Sequence, residues 1–327
     1  MARIYSATTN TFREFTLGTD SIELQAGDVW LDLLNPTPEE EKAFENVLGI
    51  ELPMREEMRS IEPSSRLYRE NDALYMTATV VAGADTPDSA AVPMAFILHN
   101  RLFITIRYHE PRSIVVFSKH LLRHPEDYQT GPMIFGGLME AIVERAAEVL
   151  EYINAEADKI SHIIFTDTAD RPAQDIDSHA EILKRIARLQ NLMAKMRDSL
   201  TTMGRVMHFS PLHEIALRDE SNLEDQLRSI DRDITSLGDQ AGFISNSIGF
   251  LLNASLGLIN IEQNGIIKFF SVVAVVFLPP TLIASIYGMN FGFMPELHWH
   301  LGYPIALCLM FLSAVGPYMW FKFKRWL

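Results

Sequence analysis

Cysteine is nearly missing from this chain: there is one, Cys308, in 327 residues. No intrachain disulfide can form, and the place of Cys308 in an apolar run makes it a small packing residue. Basic residues are also short, 28 Lys and Arg against 42 Asp and Glu, for a net charge of −14. Without a basic stripe, nucleic acid is excluded as a partner. Most of the acidic excess solvates a surface, and such a surface also gathers cations. No Gly-x-x-x-x-Gly-Lys-Ser/Thr loop occurs, which removes ATP as a motor. No nucleophile–base arrangement or cofactor fingerprint argues for an enzyme or a prosthetic group. Two further absences are local. Between Pro211 and Pro279 there is no proline for 67 residues, and from Phe269 to Phe321 the only acidic or basic residue is Glu296.

The charge-free stretch divides into two runs, Phe269–Tyr287 and Leu301–Phe321. Each is close to the ~20 residues that cross a ~30 Å hydrocarbon core as a helix. Two membrane spans are therefore expected, the first over about 267–287 and the second within 301–327, where it ends in a basic tail. The opening Met1-Ala-Arg-Ile-Tyr-Ser lacks the charged-then-apolar pattern of a secretory signal, so the N-terminal region is expected to stay where it is made. Lys268, Lys322, Lys324 and Arg325 flank the spans and place both ends of the chain on the cytoplasmic side. The 288–300 loop then faces outward.

Upstream, strands and helices alternate. Val29–Leu34 reads as a strand, Pro38 opens a helix with acids in its first turn, and Ala73–Val81, Met94–Leu98 and Arg101–Arg107 read as strands, the last two forming a hairpin across His99-Asn100. These predict a compact α/β domain over 1–130. Gly131-Pro132 and Gly136-Gly137 punctuate the chain, after which the period is helical. Antiparallel helices are expected within 131–210, one over about Leu138–Thr166 and one over about Ala173–His208, with a turn at Asp167–Pro172. A third helix is expected over 211–287; its 67 proline-free residues alone would be about 100 Å long at 1.5 Å per residue, too long for a compact domain, and its end is the first span. The fold class is α+β: an α/β domain, then a long helical stalk continuing into the first of two C-terminal transmembrane helices.

One side of that stalk is small or polar. Asp239, Asn246, Asn253, Asn260, Ile267, Ala274 and Thr281 recur every seven residues, drifting only about 20° per step. Asn264, Ser271, Leu278 and Ser285 form an adjacent row, and the opposite side carries Phe269, Val273, Val276, Pro280 and Tyr287. A polar stripe entering hydrocarbon has two explanations: close helix packing by small and hydroxyl residues, or a water-accessible pore in which neighbouring copies repeat each residue as a ring. Spacing leaves both open. The asparagines favour the pore, because they are costly for packing and useful to a hydrated cation. Gly242, Gly249, Gly257 and Gly265 cost about 1 kcal/mol each against Ala and suggest close approach or a hinge.

The first span ends in Tyr287-Gly288-Met289-Asn290, the loop continues through Met294-Pro295-Glu296-Leu297, and the second span closes in Lys324-Arg325. This resembles the CorA family of magnesium and divalent-cation channels, in which a Gly-Met-Asn signature ends the first of two C-terminal membrane helices. The resemblance implies a funnel-shaped homopentamer in a bacterial inner membrane, with membrane lipids around it and Mg²⁺, or another divalent cation, as cargo. Gly288, Met289 and Asn290 would be the selectivity filter, with Asn290 holding a still-hydrated ion. Neutral oxygens suit such an ion, since Mg²⁺ dehydrates reluctantly. The family pattern carried over without gaps puts Thr281, Leu278, Phe270, Ile267 and Asn264 on the pore, with Leu278 and Ile267 as apolar constrictions able to gate by dewetting. Phe270 lies off the stripe derived from spacing. Ser229 stands where the family's regulatory acid is expected, with Asp231 and Asp233 as neighbouring candidates, and neutral Asn253 stands at an acidic ring of the pore. These departures point toward a divergent branch such as the ZntB or CmaX proteins, although retention of Met289 argues against ZntB.

His298 and His300 beside Glu296 could bind Zn²⁺, but next to Trp299 they read first as interfacial polar residues. Glu296 attracts cations weakly to the mouth. The expected function is divalent-cation passage. Zinc transport, coupled to protons, is the alternative of the same class, and a membrane-anchored sensor or scaffold with a vestigial pore is the alternative of another class.

Overall fold

The computed structural model describes residues 1–15, 23–60, 62, 66–86, 88–166, 179–218, 223–290, 292 and 294–324. The chain divides into two compact units, Met1–Leu252 and Asn253–Leu327.

The first unit is built on a seven-stranded sheet of β1 (Ala2–Ser6), β2 (Thr11–Phe15), β3 (Asp28–Leu34), β4 (Leu67–Glu70), β5 (Ala73–Ala82), β6 (Ala90–His99) and β7 (Leu102–Arg107), in the order β2-β1-β3-β7-β6-β5-β4. Every neighbouring pair is antiparallel except β3 with β7. The hairpin expected at His99-Asn100 joins β6 to β7, and Asn100 takes the left-handed conformation that a tight turn needs (φ 54°). Helix α1 (Pro38–Leu48) has Pro at its first turn and a full capping box, Thr37 and Glu40 each bonding the other's backbone N–H. It buries Phe44 and Leu48 with Leu31, Leu33, Ile97 and Ile104 on one face of the sheet.

The other face is covered by helices α2 (Arg112–Arg123), α3 (Gly131–Phe165) and α4 (His179–Met207). Trp30 contacts Phe117 of α2 at 5.7 Å between ring centroids, and Phe103 meets Phe135 of α3 edge to face. Polar groups under these helices are paired. Asp32, 1% exposed, accepts from Arg3, Thr105 and both Arg107 Nε and an Arg107 terminal nitrogen, at 2.7–2.9 Å. Thr105 in turn accepts from the Trp30 indole at 3.1 Å.

Two glycine signals differ from the expectation. Helix α3 begins at Gly131, not near Leu138: Thr130 caps it, and Pro132 occupies its first turn, where a missing N–H is harmless. Gly136 and Gly137 lie inside the helix, Gly137 tight against the Tyr128 and Phe117 rings and Gly136 against the ends of the Gln226 and Leu223 side chains. A Cβ at Gly137 would stand 2.4 Å from Tyr128, one at Gly136 2.7 Å from Gln226, and one at Gly131 2.5 Å from the Arg101 carbonyl. Helix α4 is described from His179; the turn expected at Asp167–Pro172, and the helix start expected at Ala173, lie outside the described residues.

The stalk also differs from a single helix starting after Pro211. A nine-residue helix α5 (Ser210–Arg218) precedes α6 (Leu223–Tyr287), which runs for 65 residues. His213 of α5 lies 3.0 Å from Glu224 of α6 and 2.7 Å from the Met207 carbonyl. Eleven residues of continuous helix would hold 213 and 224 about 16 Å apart, so the chain folds back between them. Burial alone would lower the His213 pKa, but the Glu224 and Met207 hydrogen bonds outweigh it and raise the pKa above its ordinary value.

The second unit holds the remainder of α6, a one-turn 3-10 helix at Pro295–His298, and α7 (Gly302–Phe323). In the apolar windows of α6 and α7 only 6% and 11% of residues are buried. A core helix of a soluble protein would bury most of them, so both have the length and exposure of membrane spans. Cys308 is exposed on α7 rather than buried in packing within the chain. The Arg325 counted toward the basic tail lies outside the described residues.

Candidate ion-conducting face

In its first half α6 buries Leu227, Ile230, Ile234, Ala241, Ile244, Ile248 and Leu251. These recur at intervals of three, four and seven, the spacing of a narrow apolar seam. At 100° per residue, Asn246 and Asn253 fall opposite that seam. All ten residues read as pore-lining are exposed: Asn246, Asn253, Asn260, Asn264, Ile267, Ser271, Ala274, Leu278, Thr281 and Ser285. Phe270, off the stripe by spacing, is exposed as well. Among the described residues, none of the four helix asparagines makes a side-chain hydrogen bond.

The hydroxyls behave differently. Ser271 donates to the Ile267 carbonyl and Thr281 to the Phe277 carbonyl, both at 2.7 Å. Back-bonding uses the proton and lowers the cost of a hydroxyl in an apolar span. It leaves the oxygen lone pairs free to accept a hydrogen bond from a water of an ion's shell. Pro279 and Pro280 lie inside the helix just before Thr281, where each removes a backbone donor. A Cβ added at Gly242, Gly249, Gly257 or Gly265 would meet nothing within 4 Å. No contact within the chain requires these glycines.

The helix closes where the signature begins. Gly288 donates to the Ala284 carbonyl at 2.9 Å and Met289 to the Ile286 carbonyl at 3.3 Å. A Cβ at Gly288 would stand 3.2 Å from the Ala284 oxygen, so glycine eases the exit of the backbone from the helix. Asn290 follows outside the helix and is exposed, without a side-chain hydrogen bond among the described residues. The backbone of Glu296 lies in the 3-10 turn, and its side chain is outside the described residues. His298 and His300 are exposed, and the metal-ligand grouping formed by the described residues lies elsewhere in the chain.

The candidate regulatory acids do not form one site within the chain. Asp231 Oδ1 lies 3.4 Å from His208 Nδ1, whereas Asp233 lines a cavity of about 260 Å³ with Glu140 and Glu144 of α3. Ser229 is exposed. Sequence reasoning singled out neither Glu140 nor Glu144, the acids on the α3 side of that cavity.

Residues 25–325 match the family model of the CorA-like Mg²⁺ transporter protein. The chain belongs to the CorA family. It is 34% identical over 301 residues to the magnesium transport protein CorA of Haemophilus ducreyi, covering 91% of this chain and 92% of that one. The fold is similar to that of the complete CorA magnesium transporter of Methanocaldococcus jannaschii, with a TM-score of 0.72 over 100% of this chain and 99% of that one at 16% identity. It is also similar to the full-length CmaX protein, with a TM-score of 0.66 over 99% and 96% at 16% identity. Membership accounts for the two exposed apolar helices: CorA-family proteins are membrane transporters, and this is an integral membrane protein.

Proposed function

We propose that this protein carries Mg²⁺ across the bacterial inner membrane through an axial pore lined by α6 from five copies of the chain. The observations that carry the proposal are that Asn246 and Asn253 fall opposite the buried seam of α6, and that the exposed residues of the same seven-residue row, through Asn260, Ile267 and Ala274 to Thr281, run toward Gly288-Met289-Asn290. Five such rows around one axis turn each residue into a ring. The unpartnered amides of Asn246, Asn253, Asn260 and Asn264, which precede the first span, then face the water of that axis. Asn290 is the outer ring and binds the hydration shell through its side-chain carbonyl, an arrangement suited to an ion that keeps its waters. Thr281 adds a ring of hydroxyl oxygens. Leu278 and Ile267 form dry constrictions, with Phe270 at their edge, that close the path by dewetting. Both termini lie in the cytoplasm and Glu296 in the outer loop. An inside-negative potential supplies about 4.6 kcal/mol per 100 mV for a divalent ion, so no ATP-driven motor is required.

The test is uptake by proteoliposomes of purified protein under an inside-negative potential, run with Mg²⁺, Co²⁺, Ni²⁺ and Zn²⁺. We expect Mg²⁺ to enter, and Asn290→Ala to abolish entry while the oligomer stays intact on size-exclusion chromatography. Zn²⁺ entry alone favours the zinc reading, and entry of none of the four leaves the sensor or scaffold. Equal flux in Asn290→Ala means that Asn290 is not the selectivity ring.

A further inference from the structure

Helix α2 packs Ile114, Phe117, Ser118 and Leu121 inward, the i, i+3, i+4, i+7 pattern of a surface helix. Its other side carries His120, and its C-cap is His124. The chain then makes a 3-10 turn, Pro125–Asp127, with the Asp127 N–H on the His124 carbonyl and the Tyr128 N–H on the Pro125 carbonyl. Gln129 also donates to the Pro125 carbonyl at 2.6 Å. The turn brings Glu126 and Asp127 back beside the histidine. Donor atoms of His124, Glu126 and Asp127 all lie within 4.8 Å of one another, and His124 Nδ1 is 3.6 Å from Glu126 Oε1. The His120 ring centroid is 4.9 Å from that of His124.

We propose that His120, His124, Glu126 and Asp127 bind a borderline divalent cation, Zn²⁺, Co²⁺ or Ni²⁺, on the first unit. Three features support this site and its preference. His120 in the last turn of the helix and His124 at its C-cap hold their ring centroids 4.9 Å apart, close enough to share a metal, and imidazole nitrogen selects these ions over Mg²⁺, which prefers oxygen. The site also caps the C-terminus of a twelve-residue helix, whose dipole favours positive charge. Finally, its support is rigid. His120 meets Tyr128 edge-on at 6.0 Å, and Tyr128 is wedged between Phe117 and Gly137, where a Cβ would have no room. The donors themselves are exposed, so rotating side chains can bring them to the roughly 2 Å bond lengths such metals take. This site is separate from the pore and does not depend on the transport reading.

The test is Co²⁺ titration of the full-length protein in detergent, read by ligand-field absorption. We expect bands that Zn²⁺ displaces at one equivalent per chain and that a large excess of Mg²⁺ leaves in place. His124→Ala should weaken Co²⁺ binding by more than about tenfold, and His120→Ala and Glu126→Gln by about tenfold or more. Far-UV circular dichroism should be unchanged, because the altered side chains are exposed. Absent bands in the parent, bands displaced by Mg²⁺, or parental affinity in both His124→Ala and Glu126→Gln each overturn the proposal.

Discussion

Replacing Asp32 by Asn tests whether one buried carboxylate holds the first unit together. The side chain keeps its shape but loses its charge, and its new amide N–H₂ faces guanidinium donors. Arg107, 2% exposed, is then left with its hydrogen bond to the His109 carbonyl and no anion. Arg3 is about one-fifth exposed and can turn toward water, so the penalty falls mainly on Arg107. Removing one member of a buried ion pair costs about 3–5 kcal/mol. At about 2–4 °C per kcal/mol for a unit of this size, the melting temperature should drop by about 6–20 °C. Trp30 is the only tryptophan before Trp299, and its indole donates to the Thr105 hydroxyl that donates to Asp32. Its fluorescence, with the other three tryptophans changed to Phe, follows this unit alone. Asp32→Leu combined with Arg107→Met removes both buried charges and should recover most of the loss. Burial raises the Asp32 pKa, but Arg107 and Arg3 together outweigh it and hold the group below its usual value. Its stabilisation is therefore present above the unfolded carboxylate pKa and lost as pH falls through the lower folded value. A melting temperature for Asp32→Asn within about 2 °C of the parent would refute the reasoning.

The fold-back between α5 and α6 should depend on pH. The raised His213 pKa makes its share full below about 6.5 and lost as pH rises through the folded value, while the lowered Glu224 pKa makes its share present above about 4.5 and lost as pH falls. Hydrogen-exchange protection of the amides at 211–218 should thus be greatest between these limits and decline as pH rises through the raised folded value of His213, and His213→Gln should flatten the decline. In the membrane, Thr281→Val should lower Mg²⁺ flux by about tenfold, the equivalent of one hydrogen bond to a charged partner, and Thr281→Ser should restore it. Equal flux in the Val variant would mean that the hydroxyl lone pairs do not face the ion.

The parts legible in the sequence were those with long periods or a local chemical signal. Strands β3, β5, β6 and β7 are rich in apolar and β-branched residues because both faces are covered, and Thr37-Pro38-Glu39-Glu40 spells its own cap. The five-residue strands β1 and β2 and the four-residue β4 are too short to show a period, and β2 is mostly half-exposed. Helix α2 passed unnoticed because its buried face includes Ser113 and Ser118. The start of α3 was hidden by glycines that exist for Gln226 and Tyr128, residues distant in sequence. The fold-back before α6 had no proline or glycine to announce it. Of the candidate pore face, the seven-residue repeat was visible, but the position of Asn246 and Asn253 opposite a buried seam needed the structure.

That opposition bears on the choice between packing and conduction. If the asparagine row existed only to pack helices of one chain, Asn246 and Asn253 would lie toward α6's buried side, where α6 already has an apolar seam ending at Leu251. They lie on the far side, and none of the helix asparagines has a side-chain partner among the described residues. Farther along, Ser271 and Thr281 satisfy their protons on their own backbone, so they need no partner helix for their donors. An amide cannot do this with its N–H₂ and carbonyl at once, and Asn246, Asn253, Asn260 and Asn264, which precede the span of about 267–287, have water as the available partner. The glycines interspersed at 242, 249, 257 and 265 touch nothing in the chain and reduce helix propensity. A surface with this chemistry suits a polar, hydrated partner, which the proposed water-filled axis between copies of the chain would supply.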